Sequence, residues 1–166
     1  MEEIYSRRSI RKYTGKQISE EDVAELLKAA MYAPSACNEQ PWHFVVIRGR
    51  NMLNAIADSN PSAQMLREAQ LAILVCGDLQ LEIAPGYFVQ DCSAATQNIL
   101  LTIEEKGMGG VWLGIYPVEE RVMKLRSFLN IPEHVVPLSL ISVGYPAEKR
   151  EKDDRFKTDR IHYEKW

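Results

Sequence analysis

The sequence predicts one domain, residues 1–166, in which helices cover both faces of a central sheet. The stretch LAILVC at 71–76 is apolar at successive positions, as is typical of a strand that is covered on both sides. The stretch at 19–34 has the spacing of an amphipathic helix. With 166 residues, 46% of them hydrophobic, the chain is long enough to bury one ordinary core.

The first long helix is predicted in SEEDVAELLKAAMYAP. Ser19 is placed as the N-cap, and Asp22 follows three residues later, where it completes a capping box. Pro34 ends the helix. One face must pack on the core, because its apolar residues recur at helical spacing: Val23, Leu26, Leu27, Ala30 and Met31.

The remaining elements follow in chain order from their local patterns. These are a strand in WHFVVIR, a short helix around NMLNAIAD, a strand in LAILVCGD, a long helix from Tyr87 to Lys106, a strand in VWLGIY, a helix in VEERVMKLRSFLN and a strand in VVPLSLISVGYP. Gly107 caps the long helix, and the glycines of GMGG are expected to serve the turn. Small residues at 93–95 fit a central core helix and a dimer seam equally well.

Composition argues against several classes of protein. The chain has 20 Lys and Arg against 23 Asp and Glu, whereas a nucleic-acid-binding domain is usually clearly basic. No apolar run approaches the roughly 20 residues of a membrane span, and MEEIYSRR lacks the apolar core of a signal peptide. We therefore expect a cytoplasmic protein with neither a nucleic-acid nor a membrane partner. Cys37, Cys76 and Cys92 are odd in number and are expected to be reduced thiols.

Familiar catalytic motifs give little. Ser35 is not in a GxSxG turn, and the three histidines are isolated from one another with no HExxH motif. The phosphate-binding patterns GxxxxGK and GxGxxG are also missing from the sequence. We therefore predict neither a catalytic side chain nor a metal site.

Two other stretches have unusual chemistry. SRRSIR at 6–11 concentrates three arginines and two serines, and an arginine fork together with the Ser9 hydroxyl is suited to a phosphate monoester. The alternative is a solvated basic helix end, since clusters of charge usually lie in solvent. PSACNEQPWHF, at 34–44, combines two prolines with the amides Asn38 and Gln40 in a stiff loop. Such a loop is either a ligand site for a planar heterocycle or only a turn.

Taken together, four stretches resemble the FMN-dependent nitroreductase family across nearly the whole chain: RRSIRKY, AAMYAPSACNEQPWHFVVI, GVWLGIYP and SLISVGYPAEK. The segment N-x-Q-P-W is the most specific of these features. The resemblance implies the α+β nitroreductase fold, with a central mixed, mostly antiparallel sheet flanked by helices. It also implies a homodimer with exchanged C-terminal tails, FMN at the subunit interface, and NADH or NADPH as electron donor.

The resemblance also assigns residues to the two ends of FMN. Arg7, Arg8 and Ser9 match the positions that bind the phosphate and ribityl chain, and Lys157 and Arg160 match C-terminal basic residues that return to the phosphate.

For the ring, Arg11 matches a basic residue near the pyrimidine side, and Leu113 and Gly114 match the strand end whose backbone faces N5. Gln64 lies where relatives often place a lysine or arginine. The loop that reaches the ring from the other subunit is matched by Pro34, Ser35, Ala36, Asn38 and Gln40.

The implied activity is hydride transfer from NAD(P)H through the flavin to a nitroaromatic, a quinone or a similar acceptor, in ping-pong order. Flavin fragmentation, dehalogenation and azoline oxidation occur in the same superfamily, and a flavin-binding or redox-sensing module without turnover is the remaining alternative. The segment DLQLEIAPG before the long helix is short for the family, and nothing in the sequence selects the acceptor or the nucleotide.

Overall fold

The structure, a computed structural model, describes residues 2–166. Its helices are α1 (Glu2–Ser6), α2 (Glu20–Met31), α3 (Arg50–Ser59), α4 (Phe88–Glu105) and α5 (Glu119–Leu129). Its strands are β1 (Trp42–Ile47), β2 (Leu71–Asp78), β3 (Gly109–Gly114) and β4 (Val135–Gly144). Short 3₁₀ helices occupy Ala36–Asn38, Pro61–Arg67 and Thr158–Arg160.

The four strands form one antiparallel sheet in the order β1-β2-β4-β3. Its central pair has a register shift at Val75 and Cys76, where Cys76 is opposite Pro137 and Val75 is opposite Ser139. A proline inside a central strand is tolerated at such a bulge because no ladder hydrogen bond is required from its nitrogen there. The carbonyl of Leu138, between the two paired residues, accepts hydrogen bonds from the Ile115 and Tyr116 amides beyond the end of β3.

Each face of the sheet carries its own core. All eight residues of β2 are buried, as predicted, and they alternate between the two faces. On one face, Ala72 and Leu74 pack against α3, the Pro61–Arg67 helix and α5. On the other face, Ile73 and Val75 pack against α2 and α4. The sheet is therefore sandwiched between helices, which explains the continuous apolar run of its central strand.

The two edges of the sheet differ. The β3 edge is covered by the N-terminal segment: Ser9 forms a parallel bridge with Gly110, and the Ile10 amide donates to the Gly110 carbonyl over 3.0 Å. The outer edge of β1 receives no backbone hydrogen bond from residues 2–166, and its residues from Phe44 to Val46 are half-buried. One edge is thus closed by the chain itself, and the other is open.

Most elements agree with the sequence prediction. Ser19 caps α2, because its hydroxyl accepts from the Asp22 amide at 3.0 Å, and Gly107 follows α4 with a φ of 65°. The interpretation of Gly109 and Gly110 as turn residues is wrong. Both begin β3, where a side chain on Gly109 would meet Ile10 and one on Gly110 would meet the Ser142 carbonyl.

Helix α1 and the Pro61–Arg67 helix were not predicted. Among residues 2–166, no helix combines the length and the apolar character that a bilayer span requires.

Candidate functional site

A cleft of about 520 Å³ lies at the end of β3, and we call it the strand-end cleft. It brings together four of the predicted residues, Arg11, Gln64, Leu113 and Gly114. Its other lining residues are Asn60, Pro61, Ser62, Met65, Trp112 and Arg121. The volume is within the range of about 300–1,000 Å³ that is usual for small-molecule sites.

The wall of the strand-end cleft is set by where β3 ends. No atom lies within 4 Å of the position that a Cβ on Gly114 would take, so the backbone there is open to a ligand. Arg121, on the first turn of α5, donates from Nη1 to the Gly114 carbonyl over 2.8 Å. This bond fixes the guanidinium at the cleft while its other donors stay available. Arg121 is not recognisable as a site residue from the sequence, because only the return of α5 past the end of β3 brings it here.

Gln64 lines the cleft, but its amide is turned toward the protein. Its Nε2 donates to the Ala57 carbonyl over 2.7 Å, and its Oε1 accepts from Arg67 Nε at 3.2 Å. These bonds hold the Pro61–Arg67 helix to the end of α3. The positive charge of the cleft therefore comes from Arg11 and Arg121.

A second cleft, of about 420 Å³, lies between the two ends of the chain, and we call it the terminal cleft. Arg7 and Arg8 line it with Lys152 and Arg155 from the tail. Its other lining residues are Ile4, Tyr5, Asp153, Asp154 and Phe156.

Arg7 is the group in the terminal cleft that needs an anion. It is half-buried, and within residues 2–166 no acceptor hydrogen-bonds or ion-pairs with its guanidinium. Burial lowers the pKa of Arg7, and the neighbouring charges of Arg155 and Arg8 lower it further. A guanidinium stays charged in proteins, so this crowding is an electrostatic cost that a bound phosphate would relieve.

Arg8 and Ser9 have structural partners. Arg8 donates from Nη1 to the Tyr5 carbonyl over 2.9 Å and from Nε to the Glu151 carbonyl over 2.9 Å, which ties the tail to α1. The backbone of Ser9 pairs with Gly110 at the closed sheet edge. Ser9 lines neither cleft, and its predicted contact with the ribityl chain stays a prediction.

The predicted ring-contact loop, residues 34–40, lines neither of these clefts. It lies against the start of α4, where the Ala36 amide donates to Asp91 over 3.0 Å. Three of its residues have left-handed backbone conformations: Cys37 at φ 48°, Asn38 at 55° and Gln40 at 48°. Non-glycine residues rarely adopt such φ values, and they concentrate at functional sites.

Hydrogen bonds within the loop hold this shape. The Gln40 amide donates to the Ser35 hydroxyl over 3.0 Å, and Gln40 Nε2 donates to Asn38 Oδ1 over 3.0 Å. Cys37 is exposed at its turn, and all three cysteines are free.

The tail carries the last two predicted residues. Lys157 and Arg160 are exposed and lie at the Thr158–Arg160 helix, and neither lines the strand-end or the terminal cleft. Large apolar side chains are exposed nearby, including Phe156, Tyr163 and Trp166, the last of them fully. A single chain thus gathers Arg7 with Arg8, and Arg11 with Leu113, but leaves the loop and the tail apart.

What these groups can do is bind and orient. Arginines at two clefts of the same chain suit a ligand that has a phosphate at one end and an electron-rich ring at the other. Within the described residues 2–166, no three His, Cys, Asp or Glu side chains are arranged to hold a metal ion. Burial raises the pKa of the Cys76 thiol to about 12, so this thiol stays protonated and unreactive near neutral pH.

The model of the Nitroreductase family matches residues 4–145. A protein of Archaeoglobus fulgidus with the provisional name NADH dehydrogenase/NAD(P)H nitroreductase is 55% identical, over 98% of this chain and 96% of its own length. Its namesake in Methanothermobacter thermautotrophicus is 51% identical, over 100% of this chain and 87% of its own length.

Solved structures agree. A provisional NADH oxidase of Clostridium acetobutylicum superimposes with a TM-score of 0.95 at 41% identity, covering 99% of both chains. A provisional nitroreductase of Desulfovibrio desulfuricans, solved in complex with FMN, has a TM-score of 0.85 at 30% identity, covering 99% of this chain and 96% of its own.

Proposed function

Because the chain belongs to the nitroreductase family, it is an oxidoreductase, and we propose that it uses FMN to pass a hydride from NADH or NADPH to nitroaromatic, quinone or similar acceptors. The two substrates are expected to use one open site in turn, in ping-pong order. Residues 1–166 act as one domain in this proposal. The observation that carries it is the unpaired guanidinium of Arg7, held between Arg8 and Arg155.

Arg7 would hold the phosphate of FMN. A phosphate monoester adds close to two negative charges and several acceptor oxygens beside Arg7, where the repulsion from Arg155 and Arg8 is offset only in part by Glu104. Ser9 follows Arg7 along the segment that covers β3, and its hydroxyl would take the adjoining ribityl chain. The exposed Lys157 and Arg160 would add two cations to the phosphate when the tail packs against a partner.

Arg11, Arg121 and the open backbone at Gly114 would hold and orient the ring in the strand-end cleft. Bound FMN supplies the hydride chemistry itself, as flavins do. Positive charge at the cleft favours a negatively charged ring, so Arg11 and Arg121 would make bound FMN easier to reduce. No side chain of the cleft is needed as a nucleophile, and the protons for the acceptor would come from solvent.

A homodimer completes this site. Loop 34–40 has a constrained shape but lies away from the strand-end cleft of its own chain, so we infer that it meets the FMN of a second copy. The exposed Phe156, Tyr163 and Trp166 support a tail that packs against the partner. The open β1 edge is a further surface that a second chain would cover.

The test is FMN binding by Arg7→Ala, with Lys28→Ala as a control that removes one exposed cation elsewhere. A charge-assisted hydrogen bond to a charged group contributes about 1.5–3 kcal/mol, so Arg7→Ala should weaken FMN binding about 10- to 150-fold while Lys28→Ala leaves it unchanged. Equal affinities in the two variants would move the phosphate site elsewhere.

Anaerobic addition of NADH or NADPH then separates the enzyme from a binding module. Bleaching of the flavin absorbance supports the reductase. FMN that binds but is reduced by neither nucleotide supports a flavin-binding module without turnover.

A further inference from the structure

Two carboxyl groups meet where loop 34–40 lies against the start of α4: that of the buried Asp91 and that of Glu39, a half-buried residue of the loop itself. Asp91, in the first turn of α4, is only 5% exposed, and its Oδ1 accepts from the Ala36 amide at 3.0 Å. Glu39, at the other end of the loop, accepts with Oε2 from the Ile83 and Ala84 amides at 2.7 and 2.9 Å. The second oxygen of each carboxyl, Asp91 Oδ2 and Glu39 Oε1, is buried without a donor among residues 2–166.

A buried carboxylate oxygen without a donor is costly, and two in contact are costlier. One proton removes both deficits, because the protonated acid becomes the donor and the other carboxylate the acceptor. Both residues meet at Ala36, whose amide donates to Asp91 Oδ1 over 3.0 Å and whose carbonyl accepts from the Glu39 amide at 2.9 Å. From these positions the two carboxyl groups interact with each other. The two unpaired oxygens are therefore explained by a single shared proton.

We propose that Asp91 stays protonated and donates a hydrogen bond to the Glu39 carboxylate, and that this carboxyl pair positions loop 34–40 for its contact with the cofactor. The hydrogen bond follows from the burial and partners of the two side chains. The contact with the cofactor rests on the proposed function. Asp91 and Glu39 are positioning residues in this account.

The neighbours decide which acid keeps the proton. Two backbone amides donate to Glu39, while one donates to Asp91. Burial raises the pKa of Asp91, and the neighbouring Glu39 raises it further. The Ala84 amide lowers the pKa of Glu39 most, with the Ile83 amide and Asp91 contributing in the same direction. Glu39 therefore keeps the negative charge.

The other titratable groups near the pair reinforce this assignment. Glu82, on the segment before α4, also raises the pKa of Asp91, and its own Oε1 accepts from the Gly86 and Phe88 amides at 2.8 and 3.1 Å. Burial raises the pKa of the Cys92 thiol, one residue further along α4, so that thiol is uncharged near neutral pH. Ionising Asp91 would place it between two carboxylates, Glu39 and Glu82.

The pair is well placed to control the loop. Asp91 binds the loop at Ala36, and Glu39 binds the segment at Ile83 and Ala84, so the hydrogen bond between them joins the loop to both of its supports. Between these anchors, Cys37 and Asn38 have left-handed backbone conformations that non-glycine residues rarely adopt, so the surrounding hydrogen bonds must hold them there. Loss of the proton would replace a hydrogen bond by repulsion and release the loop.

The pH dependence has a definite sign. The pKa of Asp91 is raised on folding, so its contribution is complete below the ordinary pKa of about 4. The contribution is then lost as the pH rises through the raised value. We expect loop order, and with it FMN affinity, to fall toward alkaline pH.

The first measurement is made on the full chain without FMN. The ¹³C shift of the Asp91 carboxyl should show a protonated acid at pH 7, and the hydrogen-exchange protection factors of the Ile83 and Ala84 amides should fall as the pH rises. Asp91→Asn keeps a donor at every pH and should make protection independent of pH. Asp91→Ala should lower protection about tenfold or more. Glu105→Gln, which removes an exposed carboxylate from the same helix, is the control.

An ionised Asp91 at pH 7, or the same pH dependence in wild type and Asp91→Asn, would overturn the shared proton. FMN affinity is the second measurement. If FMN affinity and hydrogen-exchange protection change together across the variants, the positioning role is supported. If FMN affinity stays the same while protection changes, the positioning role is overturned. If the wild type binds no FMN at any pH, the proposed function fails, while the carboxyl shift still decides whether Asp91 holds the proton.

Discussion

The two edge strands of the sheet, β3 and β1, differ in whether their outer backbone groups are covered by the same chain. At β3, Ser9 and Ile10 cover the start of the strand at Gly109 and Gly110, and Tyr13 lies against Gly144 at the end of the neighbouring β4. At β1, the outer backbone groups have no backbone partner within residues 2–166, and residues 43–46 keep part of their surface exposed. An unpaired edge strand is a template for another chain.

This difference between the edges indicates which half of the proposed FMN site one chain forms by itself and which half needs a second chain. The closed edge carries Ser9 and Arg11 and ends at the strand-end cleft, so its half of the site is formed within the chain. The open edge begins shortly after loop 34–40, and the residues of this loop line neither cleft. We infer that the closed edge supplies a rigid half-site and that the open side is finished by a second copy.

The largest effect is expected from deleting residues 156–166. The deletion removes Lys157 and Arg160, and two charge-assisted contacts of about 1.5–3 kcal/mol each correspond to at least a 100-fold loss of FMN affinity. It also removes the exposed aromatic residues of the tail, so the chain should sediment as a monomer. Lys165→Ala, within the tail but outside the predicted set, is the control. A truncated chain that remains dimeric and binds FMN normally would contradict the inference that the tail of a second copy completes the site.

On the closed edge, the small change Gly109→Ala should lower stability. The added Cβ would lie 2.8 Å from Cβ and Cγ2 of Ile10, which is too close for either group to stay in place. Overpacking of this kind costs about 1–3 kcal/mol in the free energy of unfolding, measured by chemical denaturation. Gly15→Ala, whose Cβ would meet no atom within 4 Å, should change stability by less than about 0.5 kcal/mol. Equal effects would mean that the segment does not press on β3.

Tyr13→Phe tests the polar part of the same edge. The buried Tyr13 hydroxyl lies 2.6 Å from Ser142 Oγ and 2.7 Å from the Ile10 carbonyl, so its removal should cost about 1–2 kcal/mol of unfolding free energy. Burial raises the pKa of Tyr13 above the ordinary value of about 10. Its contribution is therefore present below about pH 10 and lost as the pH rises through the raised value.

Tyr13→Phe should accordingly be less sensitive to alkali than the wild type in denaturation series at several pH values. Tyr32→Phe, at an exposed phenol, serves as control and should keep the wild-type alkaline sensitivity. If Tyr13→Phe loses stability in alkali as steeply as wild type, the Tyr13 phenol is not the group that titrates.

The smallest effect is expected from Arg121→Gln at the end of the closed edge. Reduction adds negative charge to a bound flavin, and a partly exposed cation stabilises that charge by about 0.2–1 kcal/mol. This corresponds to a fall of about 4–20 mV in the two-electron midpoint potential when the cation is removed. Lys124→Gln, one turn along α5 and outside the strand-end cleft, should leave the potential unchanged. Identical potentials in both variants would place the flavin away from Arg121.

Local patterns were sufficient for most of the secondary structure, because helix periodicity and caps act over a few residues. The α2 cap at Ser19 and the fully buried β2 agree with the prediction. The prediction that Gly109 and Gly110 are turn residues was wrong. Glycine is required there because a Cβ would collide with Ile10 or with the Ser142 carbonyl, and both are distant in sequence. The arginines at Arg7 and Arg11 were visible as a cluster, but their division between two clefts was not.

By itself, the sequence determined the elements, the sandwiched sheet and the family, since these depend on residue order and on hydrophobic spacing along the chain. Only the tertiary structure decided that Arg121 joins Arg11 at the strand-end cleft, that the Gln64 amide turns inward, and that Asp91 and Glu39 meet where the loop lies against α4. The reason is physical. Charge and hydrogen bonding act between atoms that are close in space. For Glu39 with Asp91 and Arg11 with Arg121, packing brings together residues that are 52 and 110 positions apart in sequence, and for Gln64 the turn between two helices does so.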